Sequence, residues 1–127
     1  MDNEQNQTAA LAVTDAAAEA VAVAPRVSLA EIEANIAAVY YTDADRALSH
    51  EVVEPEHVKP LQLLTICFVV MKNGYTVVGK SAPASPEHIT NWQLGRKLAY
   101  EDAVRQVWPL MGFVLRERLS AAPHSRL

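Results

Sequence analysis

The chain has 127 residues, enough for one hydrophobic core and too few for a second folded domain of ordinary size. Its single cysteine excludes a disulfide framework or a cysteine-based zinc site within one chain, and the net charge of −4 is unevenly distributed. Met1 to His57 carries two arginines against eleven acids, whereas Val58 to Leu127 carries nine basic residues against four acids. The mildly basic C-terminal part suits either a phosphate-bearing partner or an ordinary solvated helix surface.

Residues 1–27 are rich in alanine and contain no aromatic side chain, so they bury too little apolar area to offset the entropy of ordering. We therefore predict a disordered N-terminal tail. The first residues lack the positive charge of a secretory signal, and no apolar run approaches the ~20 residues that a spanning helix needs. We expect a soluble protein in the host cell cytoplasm, with no membrane segment.

A first helix is predicted to begin at Ser28, because Ser28-Leu29-Ala30-Glu31 is a capping-box pattern. Apolar residues at helical spacing extend this helix to near Thr42-Asp43: Leu29, Ile32, Ile36, Val39 and Tyr40. The polar, acidic stretch from Asp43 to Pro60 then predicts a connecting loop.

A β-hairpin is predicted around Asn73-Gly74, the preferred pair for a two-residue type I′ turn. Such a turn pairs Lys72 with Tyr75, Val70 with Val77, and Phe68 with Gly79. Both faces of the first strand are apolar, so helices or a second subunit are expected to cover both.

Helices are predicted after the hairpin. Ser85-Pro86-Glu87 has the composition of a helix start, and Pro109 predicts a kink or a new start. Residues 121–127 are expected to form a loose tail. The sequence therefore predicts an α+β protein with one domain over residues 28–120.

Several short sequences from residue 64 onward occur in a distinctive order. They are Leu64-Thr65-Ile66-Cys67, Lys72 to Ser81, Ser85-Pro86-Glu87, Leu94 to Val104 and Trp108-Pro109-Leu110. This order resembles a family of small phage proteins named for gene 49 of one tailed coliphage and gene 66 of another enterobacterial phage. The resemblance implies a phage or prophage accessory protein and brings no catalytic residues. Lys80, Pro83 and Ile89 depart from the family's pattern, in which an acidic residue, a cysteine and an aromatic residue are common.

No arrangement of residues predicts an enzyme or a cofactor. His50 and His57 lie among carboxylates, but Pro55 prevents the helical spacing of a zinc-protease motif, which favours a solvated acidic loop. Cys67 lies inside an apolar strand, where a thiol usually packs as a small apolar group. Four aromatic residues of a type that can stack on bases are interpreted as core residues: Trp92, Tyr100, Trp108 and Phe113.

The candidate ligand site is the junction after the hairpin together with arginines of the following helix. Its predicted residues are Lys80, Ser81, Ser85, Asn91, Arg96 and Arg105. Free amides at a helix N-terminus and guanidinium groups can both bind phosphate. The alternative is that the two arginines are exposed and pair with Glu101 and Asp102.

These observations predict a non-enzymatic phage accessory protein that binds a host protein or sequesters a small phosphorylated, nucleotide-like signal. A weak DNA-associated regulator is an alternative, although the acidic N-terminal half makes nucleic acid an unfavourable partner. A structural homo-oligomer is a third hypothesis, and a homodimer would provide cover for the hairpin.

Overall fold

The computed structural model describes residues 11–18, 25–82 and 92–121. After helical residues 11–18, the elements are α1 (Leu29–Ala34), β1 (Ile36–Asp43), α2 (Ala44–Ala47), α3 (Pro55–Gln62), β2 (Thr65–Met71), β3 (Thr76–Ser81) and α4 (Trp92–Ala121). The three strands form an antiparallel sheet in the order β1-β2-β3, and α4 packs across one face. The prediction of an α+β fold is confirmed.

The prediction of one helix from Ser28 to near Thr42 is wrong in its second half. Ser28 does cap a helix, since its Oγ accepts a hydrogen bond from the Glu31 amide at 3.1 Å. That helix ends at Asn35, whose side-chain amide donates to the Glu31 carbonyl, and Ile36–Asp43 is a strand. A β-branched and aromatic sequence, Val39 to Thr42, favours pairing with β2 over continuing the helix.

The connection between β1 and β2 also differs from the predicted loop, because it contains α2 and α3. Asp43 caps α2 by accepting a hydrogen bond from the Arg46 amide at 2.8 Å. Pro55 is in the first turn of α3, where no backbone donor is needed, so it begins a helix instead of marking a loop. The first strand of the hairpin, β2, begins at Thr65, five residues after Pro60, where the predicted loop ends.

The predicted hairpin is present, but its turn and register differ by one residue. Val70 pairs with Thr76, Phe68 with Val78, and Cys67 with Gly79. The loop has three residues. The Met71 amide donates to the Tyr75 carbonyl, the Met71 carbonyl accepts from the Gly74 amide, each at 2.8 Å, and only Gly74 has a positive φ, of 90°. A type I′ turn needs positive φ at both central residues, so the turn is of another kind.

Gly79 explains why this register is favoured. It faces α4, and a Cβ built on it would lie 2.6 Å from the Ala103 amide nitrogen and even closer to the Ala99 carbonyl oxygen. Helix and strand can approach this closely because both sides carry small residues. The predicted register would have placed Gly79 on the opposite face of the sheet.

The core lies between the sheet and α4. Its buried residues are Val27, Ile32, Cys67, Val69, Met71, Val77, Ala99, Ala103, Val104 and Val107. The opposite face of the sheet is more open than predicted, with Tyr40 62% and Val78 49% exposed. One face is therefore covered by this chain, and the expected cover on the second face is not provided by the described residues.

Of the kink or new start predicted at Pro109, the new start does not occur, because α4 runs without interruption through that residue. The predicted helix start at Ser85-Pro86-Glu87 lies outside the described residues. Trp92, Tyr100 and Trp108 pack partly buried as predicted, but the prediction that Phe113 is a core residue is wrong, since it is 69% exposed. None of the helices in the described ranges combines the length and apolar character needed to cross a membrane.

Residues 11–18, within the predicted tail, are helical and attached to α1. The Arg26 guanidinium donates to the Asp15 carboxylate and to the Asp15 carbonyl, each at 2.6 Å. The Leu29 amide also donates to that carboxylate at 3.2 Å. Asp15 therefore joins this segment to the first turn of α1, while residues 1–10, 19–24 and 122–127 lie outside the described ranges.

Candidate functional site

A cationic and aromatic cluster lies where the first turns of α4 cross β1. The Arg96 guanidinium carbon is 4.9 Å from the centroid of the Tyr41 ring and 5.2 Å from that of the Trp92 ring. Trp92 and Arg96 are four residues apart on α4 and so share one face of the helix. Tyr41 points toward that face from β1, directly across from Cys67. We call Arg96, Tyr41 and Trp92 the Arg96 platform.

Arg96 is the accessible charge of this platform. Its side chain is exposed, and within the described part of the chain the ion pairs are Arg26 with Asp15 and Arg46 with Asp43. Among the described residues, the guanidinium is thus held by two aromatic rings and not by a carboxylate. Contact with ring faces leaves the edge N–H groups of a guanidinium available, and those donors match the oxygen spacing of phosphate and carboxylate groups.

The tyrosines beside Arg96 are protonated near neutral pH. Burial, followed by the nearby Cys67 thiol, raises the pKa of Tyr41. Burial and then Glu33 raise the pKa of Tyr100 to about 12, and the Tyr100 hydroxyl donates to Glu33 Oε2 at 3.5 Å. Tyr100 follows Arg96 by one helical turn, so these phenols lie beside the guanidinium as neutral hydroxyl groups.

Cys67 behaves as predicted from its place in the strand. It is fully buried, and burial raises the pKa of its thiol to about 11. A protonated, inaccessible thiol is a poor nucleophile, and it packs as a small apolar residue. The groups around Arg96 can therefore donate hydrogen bonds and present aromatic surface, but they are poorly suited to taking up a proton.

The predicted site residues within the described ranges occupy separate places. Lys80 is exposed on the edge strand β3, and Ser81 is buried on the helix-facing side of the same strand. Arg96 lies at the opposite edge of the sheet, over β1. Arg105 lines a small cavity of about 290 Å³ beside Leu11 and Trp108. Ser85 and Asn91 lie outside the described residues, so the junction remains a prediction.

The predicted arginine pairing with Glu101 and Asp102 is replaced by other contacts. The Asp102 carboxylate accepts a hydrogen bond from the Lys80 backbone amide at 2.9 Å. Gln106 donates to the Val78 carbonyl at 2.8 Å and to Asp102 at 3.3 Å. The two side chains together satisfy outward-facing backbone groups of β3 and so cap the exposed edge of the sheet.

Glu101 is the buried polar residue that sequence patterns did not identify. It is only 3% exposed, and neither carboxylate oxygen has a hydrogen-bond partner in the described structure. Its helical position, one turn before Arg105, gave no signal of burial. Tyr41 was missed for a different reason, because its proximity to Arg96 depends on β1, a strand that was predicted as helix.

Comparison with known proteins identifies one family. The model of the family described as Phage protein (N4 Gp49/phage Sf6 gene 66) matches residues 27–119, which include every described strand and nearly all of α4. No curated protein and no solved structure matches the chain.

Proposed function

We propose that this chain, which belongs to the Phage protein (N4 Gp49/phage Sf6 gene 66) family, is a non-enzymatic accessory protein that binds a small phosphorylated molecule on the Arg96 platform. The observation that supports this proposal is an exposed guanidinium held by two aromatic rings, with no carboxylate paired to it in the described structure. Aromatic contact fixes the orientation of the guanidinium before a ligand arrives, which lowers the entropy cost of binding.

The chemistry of the platform favours a nucleotide-like ligand. Arg96 supplies charge-assisted donors for phosphate. Trp92 offers ring surface to a planar base. A protein that binds such a molecule without converting it lowers its free concentration, which is how a phage protein could weaken a host signal.

A direct test is a binding titration with inorganic phosphate, nucleoside monophosphates and cyclic nucleotides. Tryptophan fluorescence and the thermal midpoint both report on the platform, and native mass spectrometry of freshly purified protein would detect a copurified ligand. We expect at least one of the nucleotides to bind, and Arg96→Ala to weaken that binding about tenfold or more, since a charge-assisted contact contributes roughly 1.5–3 kcal/mol.

Arg105→Ala is the matched control, because it removes an exposed arginine of the same helix at a distance from the platform. It should leave the affinity unchanged, and Arg96→Lys should restore only part of it because a lysine lacks the planar fork. Absence of binding to every probe, or equal loss in the Arg96→Ala and Arg105→Ala variants, would refute the proposal. Capture of a host protein that depends on Arg96 would instead assign the platform to a protein partner.

A further inference from the structure

Helix α4 is longer than the sheet on which it packs. Its 30 residues extend about 45 Å, whereas the seven residues of β2 extend only about 23 Å. Val107 is the last fully buried residue of the helix, at 1% exposure. The remaining part, Trp108–Ala121, we call the overhang.

The apolar stripe of α4 continues onto the overhang. Ala103, Val107, Leu110 and Val114 follow one another at intervals of three or four residues, which keeps them on one face of the helix. The first two are buried, but Leu110 and Val114 are exposed, as is Phe113 beside them. A surface with the composition of a core therefore extends beyond the end of the sheet.

This surface forms the floor of a groove of about 650 Å³. Glu31 and Asn35 at the end of α1 and Lys72 and Tyr75 at the hairpin tip also line the groove, and they are neighbours, since the Lys72 amide donates to the Asn35 carbonyl at 2.8 Å. Arg118 closes the end of the groove toward the helix C-terminus. The groove is thus apolar along its floor and charged along its rim, which is the usual anatomy of a protein interface.

The charges of the rim are arranged in opposite pairs. Glu31 and Lys72 line the groove, while the overhang ends with Glu117 and Arg118. None of these four side chains forms an ion pair within the described part of the chain. An occupant of the groove that brings a basic residue to Glu31 and an acidic residue to Lys72 would pair both charges.

We propose that the occupant is the overhang of a second copy of this chain, packed antiparallel about a twofold axis beside Val114. This axis places Leu110 of each copy level with Arg118 of the other, so each overhang lies in the groove of its partner. Arg118 then approaches the partner's Glu31, and Glu117 approaches the partner's Lys72. The exposed apolar residues of each overhang are then buried by the same residues of the other copy, as in a self-complementary dimer interface.

The open face of the sheet is a less suitable dimer interface. Its apolar residues include Tyr40, Phe68 and Val78, but the charged residue that its strands contribute is Lys80. Two copies packed through that face would bring like charges together without acidic partners. The overhang, in contrast, presents both signs of charge in positions that a twofold axis can match.

The test is the mass of the full chain in solution, measured by sedimentation and light scattering over a range of concentrations. We expect a species of twice the 13.9 kDa chain mass. Val114→Asp should raise the dimer dissociation constant at least tenfold, because it places a charge in the apolar centre of the interface. Val78→Asp, at an exposed valine on the sheet face, is the matched control and should leave the dimer intact.

Charge reversal provides a second test that leaves the apolar floor unchanged. Glu31→Arg and Arg118→Glu should each weaken the dimer, and the double variant should recover much of the loss because the pair is restored in reverse. Circular dichroism checks that each variant is folded. A monomeric unmodified chain, a dimer disrupted by Val78→Asp and not by Val114→Asp, or a double variant no better than the single variants would overturn the proposal.

Discussion

The two halves of α4 carry the same apolar periodicity but have different surroundings. In the first half, Ala99, Ala103 and Val107 are buried against β2 and β3. In the second half, Leu110 and Val114 continue the stripe and are exposed in the single chain. A helical pattern therefore specifies which face of a helix is apolar, and a neighbouring element decides how much of that face is buried.

The largest effect should come from closing the space between helix and strand. Gly79→Ala places a methyl group against the backbone of Ala99 and Ala103. We therefore expect the free energy of unfolding to fall by about 3 kcal/mol, or the variant not to fold. Gly112→Ala is the control in the overhang, where, apart from the helix's own nearby backbone, no atom of the described residues lies within 4 Å of the added Cβ.

Because alanine has a higher helix propensity, Gly112→Ala should raise the free energy of unfolding by up to about 1 kcal/mol. Chemical denaturation of both variants measures the difference. Equal effects at the two positions would show that the packed half is no tighter than the overhang.

A second comparison uses one substitution in both halves. Val107→Ala removes two buried methyl groups and should lower the free energy of unfolding by about 2 kcal/mol. Val114→Ala removes the same groups from an exposed site and should change the stability of the monomer by no more than about 0.5 kcal/mol. Urea titrations at low protein concentration give both values, and a large cost at Val114 there would contradict the exposed overhang.

The cap on the sheet edge should have a smaller effect on stability. Asp102→Ala leaves the Lys80 amide without its acceptor and should cost about 1–2 kcal/mol. It also exposes a strand edge, so we expect faster aggregation on heating. Lys97→Ala, at an exposed position of the same helix, should change neither the stability nor the rate of aggregation. Thermal unfolding followed by light scattering distinguishes the two variants.

The smallest effect should appear as a pH dependence of the packed half. The pKa of Tyr100 is raised to about 12, so above pH 10 the unfolded chain loses a proton that the folded chain keeps. The contribution of Tyr100 to the free energy of unfolding is therefore fully present below pH 10 and is lost as the pH rises toward 12. Tyr100→Phe should flatten that decline in denaturation curves, and identical slopes in the two proteins would contradict the assigned cause.

Local signals predicted the α+β class, the hairpin position and the cap at Ser28. They failed at β1, because Ile36, Val39 and Tyr40 also fit a helical spacing, and the strand is stabilised by pairing with β2 far along the chain. They failed at α3 for a different reason. A proline predicts a break inside a helix, but Pro55 is in the first turn of α3, where proline begins helices.

The candidate site was predictable only in part. Arg96 was identified from residue type and its place on a helix. Its contact with Tyr41 required a strand that the periodicity did not reveal, and its separation from Arg105 follows from their different sides of α4. The hairpin register could not be obtained from the turn residues, because Gly79 is selected by a close contact with a helix that follows much later in the sequence.

The cap of β3 by α4 has a consequence for synthesis of the chain. The hairpin is complete once Ser81 has been made, but its cap needs Asp102 and Gln106. Roughly two dozen further residues take about one to five seconds at ribosomal rates of ~5–20 residues per second. During that interval a nascent chain carries a finished strand with an unprotected edge, so neighbouring ribosomes on one message would be the place where wrong strand pairing between chains begins.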